Sequence, residues 1–322
     1  MTATSTSYIL KRIVFALVTV FVAVTLNFVL FRALPGSAVT DLSRVPNASP
    51  QLVHALKVQF GLDKSKTQQY FVYLKQLTHG NLGISYTDQQ PVNSLLFRAL
   101  KNSVPMALLG AIVAIVIGTG SGILATWRRD TLLSYGTTFS AMVFYSLPTQ
   151  WLGLMLILLF GGLLPTSGMT NEFLLHPSGW QHASDYLSHM ILPSLTYALT
   201  LYGQYALVVR SAMLETMGED YVLTARAKGL PMRRIMLRHV FRNAMLPFAT
   251  LVALSLGFIA GGAVLIETVF SWPGIGRLIY QSVLSRDYPV LQGAFLVITL
   301  SVIFFNFVAD LLYFKIDPRI SQ

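Results

Sequence analysis

Six stretches of this chain are long enough to cross a membrane as a helix and contain no Asp, Glu, Lys or Arg. They are Ile13 to Phe31, Val104 to Thr126, Leu132 to Phe160, Met190 to Val209, Ala244 to Ile266 and Val290 to Ala309. A bilayer's hydrocarbon core is about 30 Å thick and a helix rises about 1.5 Å per residue, so roughly 20 apolar residues make a span. The expected fold is therefore an all-α membrane protein with six transmembrane helices. Of the 322 residues only 11% are charged, against about 25% in soluble domains, which excludes a disordered chain and argues against a soluble enzyme. Cysteine is absent, which removes disulfides, thiolate catalysis and Cys-ligated zinc or iron–sulfur centres. The third stretch is overlong and carries Pro148 and Gln150. Each piece beside Pro148 is too short to span comfortably, so it reads as one tilted or kinked helix.

The formal charge of +10 would point to nucleic acid in a soluble protein. In a membrane protein it reports topology, and no nucleic-acid partner is expected. With the N-terminus inside, the cytoplasmic segments hold Lys11, Arg12, Arg128, Arg129, Arg210, Arg226, Lys228, Arg233, Arg234, Arg238, Arg242, Lys315 and Arg319, while the short outer loops hold Arg277 and Arg286. Lys and Arg in short loops stay in the cytoplasm, so both termini are expected inside. Residues 1–34 then comprise the cytoplasmic N-terminus and first span, 35–103 an external lid, 104–309 the core and 310–322 a cytoplasmic tail. Lys11 and Arg12 followed by ALPGSA (33–38) could instead form a cleaved signal, although the apolar run is longer than such signals need.

Two regions are not bilayer. In the external segment, Leu52, Leu56 and Phe60 share a helical face, and Phe71, Leu74 and Leu77 form a shorter stripe. These point to a small helical lid rather than an independent binding domain. The second region, 210–243, carries seven cations and three anions. Asp220 suits an N-cap, Tyr221 to Lys228 a helix, Gly229 its left-handed end and Pro231 the first turn of a following helix through RRIMLRHVFRNA. This predicts a compact protruding knob. Cations that set topology and bind anionic lipid would explain the charge, but not the Ala, Gly and Pro pattern.

No GxxxxGK[ST] phosphate loop occurs, so ATP is not expected to bind by that route. GTGSG (118–122) lies inside a span, where small residues serve close helix packing rather than a dinucleotide. His176, His182 and His189 do not share a helical face, and ordinary loop histidines are expected rather than a metal site. Glu267 closes the fifth stretch. It either lies at the outer mouth of a pathway, aiding a gate or meeting a substrate ammonium, or pairs with Arg277 or Arg286 to fix the WPG turn. Trp272, Pro273, Gly274, Arg286 and Asp287 are grouped with it as a candidate outer gate. Asp310 is read as an anchor pairing with Lys315. Tyr145, Gln150, Tyr197, Gln204 and Asn306, with Ser146 and Tyr202, are polar or amphipathic members of spans. They could line a pathway or bond between helices.

YVLTARAKGL (221–230) followed by RRIMLRHVFRNAMLP (233–247) resembles the cytoplasmic signature of permease subunits in bacterial ABC importers. The similarity is to the B-type subunit of the dipeptide, oligopeptide and nickel family. It extends through FGLD (60–63), QYFVYL (69–74), GNLGIS (80–85), ETVFSWPGIGRLIY (267–280) and RDYPVLQG (286–293) in the family's order. Leu223, Thr224 and Ala225 stand where the general signature has Glu-Ala-Ala, Leu246 and Pro247 fall late, and Asn81 replaces an expected acid. The resemblance implies a type I ABC importer permease fold in a bacterial inner membrane, paired with a second permease subunit. It also implies two ATPase subunits that bind ATP and magnesium, and an external binding protein. This chain would itself bind no cofactor and catalyse nothing. The knob would be the ATPase-coupling element, through Tyr221, Thr224, Ala225, Arg226, Ala227, Lys228, Gly229 and Leu230. Peptides are the implied cargo, with nickel, glutathione or oligosaccharides as family alternatives. A stand-alone secondary carrier is disfavoured because the spans hold no Asp, Glu, Lys or Arg, and an intramembrane enzyme lacks a catalytic pair.

Overall fold

The computed structural model describes residues 3–33, 65–171 and 178–316, with positions 51, 54, 58 and 173. Within these, the chain folds as helices: α1 (Ala3–Ala33), α2 (Lys66–Thr78), α3 (Val92–Trp127), α4 (Leu132–Ser146), α5 (Thr149–Phe160), α6 (Gly179–Thr216), α7 (Asp220–Ala227), α8 (Arg242–Ile259), α9 (Val264–Val269), α10 (Ile275–Ser285) and α11 (Tyr288–Ile316). The single β-bridge among the described residues joins Ile84 to Pro91. α1, α3 and α11 are each long and apolar enough to cross a membrane; the count rises to five if the bent pair α4 and α5 and the bent pair around Pro247 are each one span. The remaining expected span, Met190 to Val209, lies inside the 38-residue α6, whose first turns are polar.

α6 is the axis of the fold and touches α3, α4, α5 and α8. Glycines set how closely its neighbours approach. A Cβ on Gly110, Gly118 or Gly122 of α3 would stand 2.7 Å from Ser194 O, Tyr205 Cβ or Ala206 O of α6. Gly203 of α6 likewise leaves room for Ala141 and Tyr145 of α4. Without a hydrophobic driving force between helices in lipid, such close approach is a main source of cohesion. Away from these seams apolar side chains face outward, as do Phe15, Leu17 and Phe21 of α1, the pattern expected where lipid is the solvent.

Several boundaries differ from the sequence reading. α3 begins at Val92, so residues 92–103 belong to the helix of the second span rather than to the lid; Pro105 lies inside it. The expected single third span is two helices of 15 and 12 residues meeting at 108°. Leu147, which precedes Pro148, is extended with ψ 132, the conformation a following proline imposes, and Pro148 caps α5. The fifth span ends at Ile259, because Gly262 turns the chain at φ +65. Asp310 meets Arg12 at 3.0 Å, which ties α11 to α1; the side chain of Lys315, its expected partner, lies outside the described residues.

The stripe Leu52, Leu56 and Phe60 lies outside the described residues. In α2, capped by the reciprocal Ser65–Gln68 box, Phe71 is exposed. The docking face uses Tyr70 and Tyr73 instead, whose rings lie 5.2 and 5.5 Å from Phe28 of α1. Tyr70 Oη also bonds Thr25 Oγ1 at 2.7 Å. A ring carrying a hydroxyl serves better here because α1 offers both an aromatic face and a polar partner. Asn81 accepts from Gly83 N–H at 2.9 Å, a turn-forming bond that needs no charge.

Candidate functional site

Two clusters of singled-out residues sit near opposite ends of α6. From Tyr186 to Thr216 that helix rises about 45 Å, separating a protruding knob from a buried clamp.

The knob is α7 and the turn after it. Glu219 occupies the N-cap, one position before the expected Asp220, which lies in the first turn, where its charge favours the helix dipole. Thr224 Oγ1 donates to Asp220 O at 3.0 Å. The helix closes as Lys228 N–H donates to Thr224 O, Gly229 N–H to Arg226 O and Leu230 N–H to Ala225 O. Gly229 is left-handed at φ +70 with open space around it. Pro231 is an N-cap rather than a first-turn residue. The expected regular helix beyond it is a π-helix over Ile235–Phe241 that runs directly into α8. Its wider turn brings Ile235, Met236 and Val240 into one core with Val222, Ala225, Val209, Met213 and Tyr205.

That core decides which knob residues are presented. Val222 and Ala225 face inward, three residues apart, so Tyr221, Leu223, Thr224, Arg226, Ala227, Lys228 and Gly229 are exposed and Leu230 is half-buried. Ala225 therefore anchors the knob in its own core. Leu223, 67% exposed, is an exposed apolar side chain of the knob, as are Met232 and Leu237 in the segment after it. The sequence signal for Leu223 was the i, i+3 spacing of Val222 and Ala225, which turns position 223 away from the core.

At the other end, Glu267 has no exposed surface. Its carboxylate accepts from Ser103 Oγ–H at 2.7 Å and from Arg277 N–H at 3.0 Å. Ser103 Oγ in turn accepts Ile275 N–H at 2.8 Å. Ile275 and Arg277 are in the first turn of α10, so Glu267 acts as a remote cap on a helix N-terminus, where dipole and free N–H groups stabilise an anion. Arg277 meets Glu267 through its backbone; its guanidinium donates to Ser271 O at 2.5 Å. The carboxylate thus fixes the WPG turn by hydrogen bonds in place of the expected ion pair. Gly262, Gly274 and Gly276 close around it, and a Cβ on Gly274 would stand 2.4 Å from Glu267 Oε2.

The rest of the clamp repeats this logic. Trp272, fully buried, donates from Nε1 to Asn102 O at 3.0 Å, and Asn102 Nδ2–H donates to Pro273 O at 2.8 Å. Tyr186 packs against Trp272 at 5.8 Å, and burial pushes its hydroxyl pKa up. Asp287, 1% exposed, accepts from Ser85 Oγ–H at 2.5 Å, from Thr87 N–H at 3.1 Å and from Val290 N–H of α11. Arg286 is left-handed at φ 57 and ends α10. Both carboxylates therefore join a serine to the N-terminus of the following helix, and neither faces open space.

The five pathway candidates are spread over α4, α5, α6 and α11. Tyr145 and Gln150 are exposed, while Tyr197, Gln204 and Asn306 are half-buried. Tyr145 packs on Gly203 of α6, Tyr197 sits among Ala107, Leu201 and Leu256, and Asn306 is on α11. A cavity of about 140 Å³ between α3, α4 and α6 is lined by other residues, including Tyr202, whose hydroxyl bonds Ser140 at 2.8 Å. His182 is exposed, His189 is buried and bonded to Asp185, and His176 lies outside the described residues.

Known proteins match along the whole chain. The family described as binding-protein-dependent transport system inner membrane component matches residues 118–322, and its N-terminal counterpart matches 5–107. The dipeptide transport system permease protein DppB of Escherichia coli K12 is 34% identical, covering 98% of each chain. The di/tripeptide transport system permease protein DppB of Pseudomonas aeruginosa UCBPP-PA14 is 36% identical over 98% of this chain and 99% of its own. In fold, a structure of the MetNI methionine ABC transporter in inward-facing conformations is similar at TM-score 0.54 and 16% identity, over 69% of this chain and 96% of that one. A helical bundle with that fold, matched end to end by two permeases, places the chain in the family of binding-protein-dependent inner-membrane transport components, as a permease subunit of an ABC importer.

Proposed function

We propose that this subunit forms half of the pathway by which small peptides enter the cell, opening alternately to either side as cytoplasmic ATPase subunits close and separate. End-to-end similarity to permeases named for dipeptide and di/tripeptide transport carries the cargo assignment. The exposed knob supports the coupling assignment. α7 presents Leu223 and Tyr221 with Arg226 and Lys228, an apolar contact with a cationic rim that suits an acidic socket. The π-helical turn joins the knob to α8, and the shared core joins it to α6, so a push on α7 reaches two helices of the bundle. ATP and magnesium belong to the ATPase partners, and an external binding protein delivers the peptide. Both termini and the knob face the cytoplasm, as the cation distribution directs. The pathway lies between this chain and a second permease subunit, which would turn outward-facing Tyr145 and Gln150 toward a shared channel.

The test is purification of the complete importer from its native membrane, comparing wild type with the Arg226→Glu, Gly229→Asp double variant. Gly229 has open space around it and Asp tolerates the left-handed region, so the fold is expected to survive. ATPase recovery is expected to fall about tenfold or more, the size of losing one or two charge-assisted contacts, with the second permease still present. Leu223→Asp is expected to do the same. Undiminished ATPase recovery in both variants would refute docking at this knob. Wild-type importer that moves no labelled dipeptide into proteoliposomes would refute the cargo.

A further inference from the structure

At the clamp end, a polar cavity of about 590 Å³ opens between the loop after α5, the start of α6 and the Ser271 turn. That volume lies within the roughly 300–1,000 Å³ usual for small-molecule sites. Its walls carry both signs of charge, and each charge is held by its own neighbours. Asp185, whose side chain is 13% exposed, accepts Asn171 N–H on Oδ2 at 2.7 Å and lies 3.4 Å from His189 on Oδ1. Arg277 donates one guanidinium N–H to Ser271 O, and its remaining donors are available to a ligand. His189 Nδ1 lies 2.9 Å from Asp185 O; a carbonyl only accepts, so Nδ1 carries a proton. The wall is braced by Gly168 N–H, which donates to Phe270 O at 2.9 Å.

We propose that this cavity binds the zwitterionic ends of a small peptide, with Asp185 taking the ammonium and Arg277 the carboxylate. The extended backbone of a dipeptide is about 7 Å long, and Asp185 and Arg277 line the same cavity. A dicarboxylate or a diamine would satisfy one wall and be repelled by the other. The inference rests on the peptide-import reading and adds a selective step within the permease itself, independent of whatever protein delivers the cargo.

The test uses the complete importer in detergent without its external binding protein, probed by saturation-transfer NMR with L-alanyl-L-alanine, its N-acetyl derivative and its C-terminal amide. Uptake of labelled L-alanyl-L-alanine by proteoliposomes with the binding protein is measured in parallel. Wild type is expected to favour the free dipeptide over either blocked form by about tenfold, the size of one lost charged hydrogen bond. Asp185→Asn should erase the preference over the N-acetyl form only, and Arg277→Gln the preference over the amide only. Arg277→Lys should restore the latter, which separates charge recognition from a folding defect. Uptake without any saturation signal, or variants with unchanged preferences, would overturn the proposal and leave peptide import standing. Absence of uptake by wild type would overturn both.

Discussion

Gly118→Val is expected to abolish recovery of a folded chain, whereas Gly120→Val, two residues along the same helix, should shift stability by less than about 1 kcal/mol. A Cβ at 118 would stand 2.7 Å from Tyr205 Cβ and 3.0 Å from Tyr202 O; at 120 it would meet nothing within 4 Å. Overpacking costs about 1–3 kcal/mol where side chains can shift. Here the obstacle includes backbone, and Tyr205 is fully buried, so the helices themselves must separate. The loss should be at least about 3 kcal/mol and should reach every element that packs on α6. Gly122→Val should behave like Gly118→Val, because a Cβ there would lie 2.7 Å from Ala206 O. Size-exclusion profiles of a fluorescent fusion would show it: a normal monodisperse peak for Gly118→Val would mean that α3 and α6 do not pack through this GxxxG seam.

Glu267→Ala is the second large effect. The substitution removes the acceptor for Arg277 N–H, strands the Ser103 hydroxyl and leaves a void among three glycines. One buried unsatisfied donor costs about 1–3 kcal/mol, and the void adds to it, so a loss of about 2–4 kcal/mol is expected in detergent melting. Glu267→Gln keeps one oxygen for Arg277 N–H and should lose less than half as much. If Glu267 served chiefly as a charge for substrate, Gln and Ala would impair uptake equally with melting unchanged, and the clamp would not be its role. Ser103→Ala should resemble a mild form of Glu267→Ala, since Ile275 N–H and Glu267 would each lose one partner.

Much of the architecture was legible from local chemistry. Charge-free apolar runs mark where helices can lie in lipid, whatever packs beside them; four of the six runs fall within single helices, and the runs 132–160 and 244–266 are each broken by a turn. Gly229 announces a left-handed helix end because few other residues reach that region cheaply, and φ +70 follows. The small residues of GTGSG read as packing, and two of its three glycines meet α6. Knob exposure was only half legible. Ala225 was read as partner-facing until the π-helical turn brought Ile235 and Met236 against it.

What the sequence by itself determined about this protein is thus the inventory: which apolar runs become helical, where a basic knob interrupts them, and which turns need glycine. Tertiary structure decided the rest. The helical start at Val92 and the choice of Tyr70 over Phe71 depend on which neighbour arrives. Glu267 shows the reason most directly. Its partner Ser103 is 164 residues away in the chain, and no local pattern distinguishes a carboxylate awaiting a substrate from one capping a distant helix. A hydrogen bond between remote segments exists only once helix packing has brought both ends together, and that packing is set by close contacts along α6 that no single segment contains.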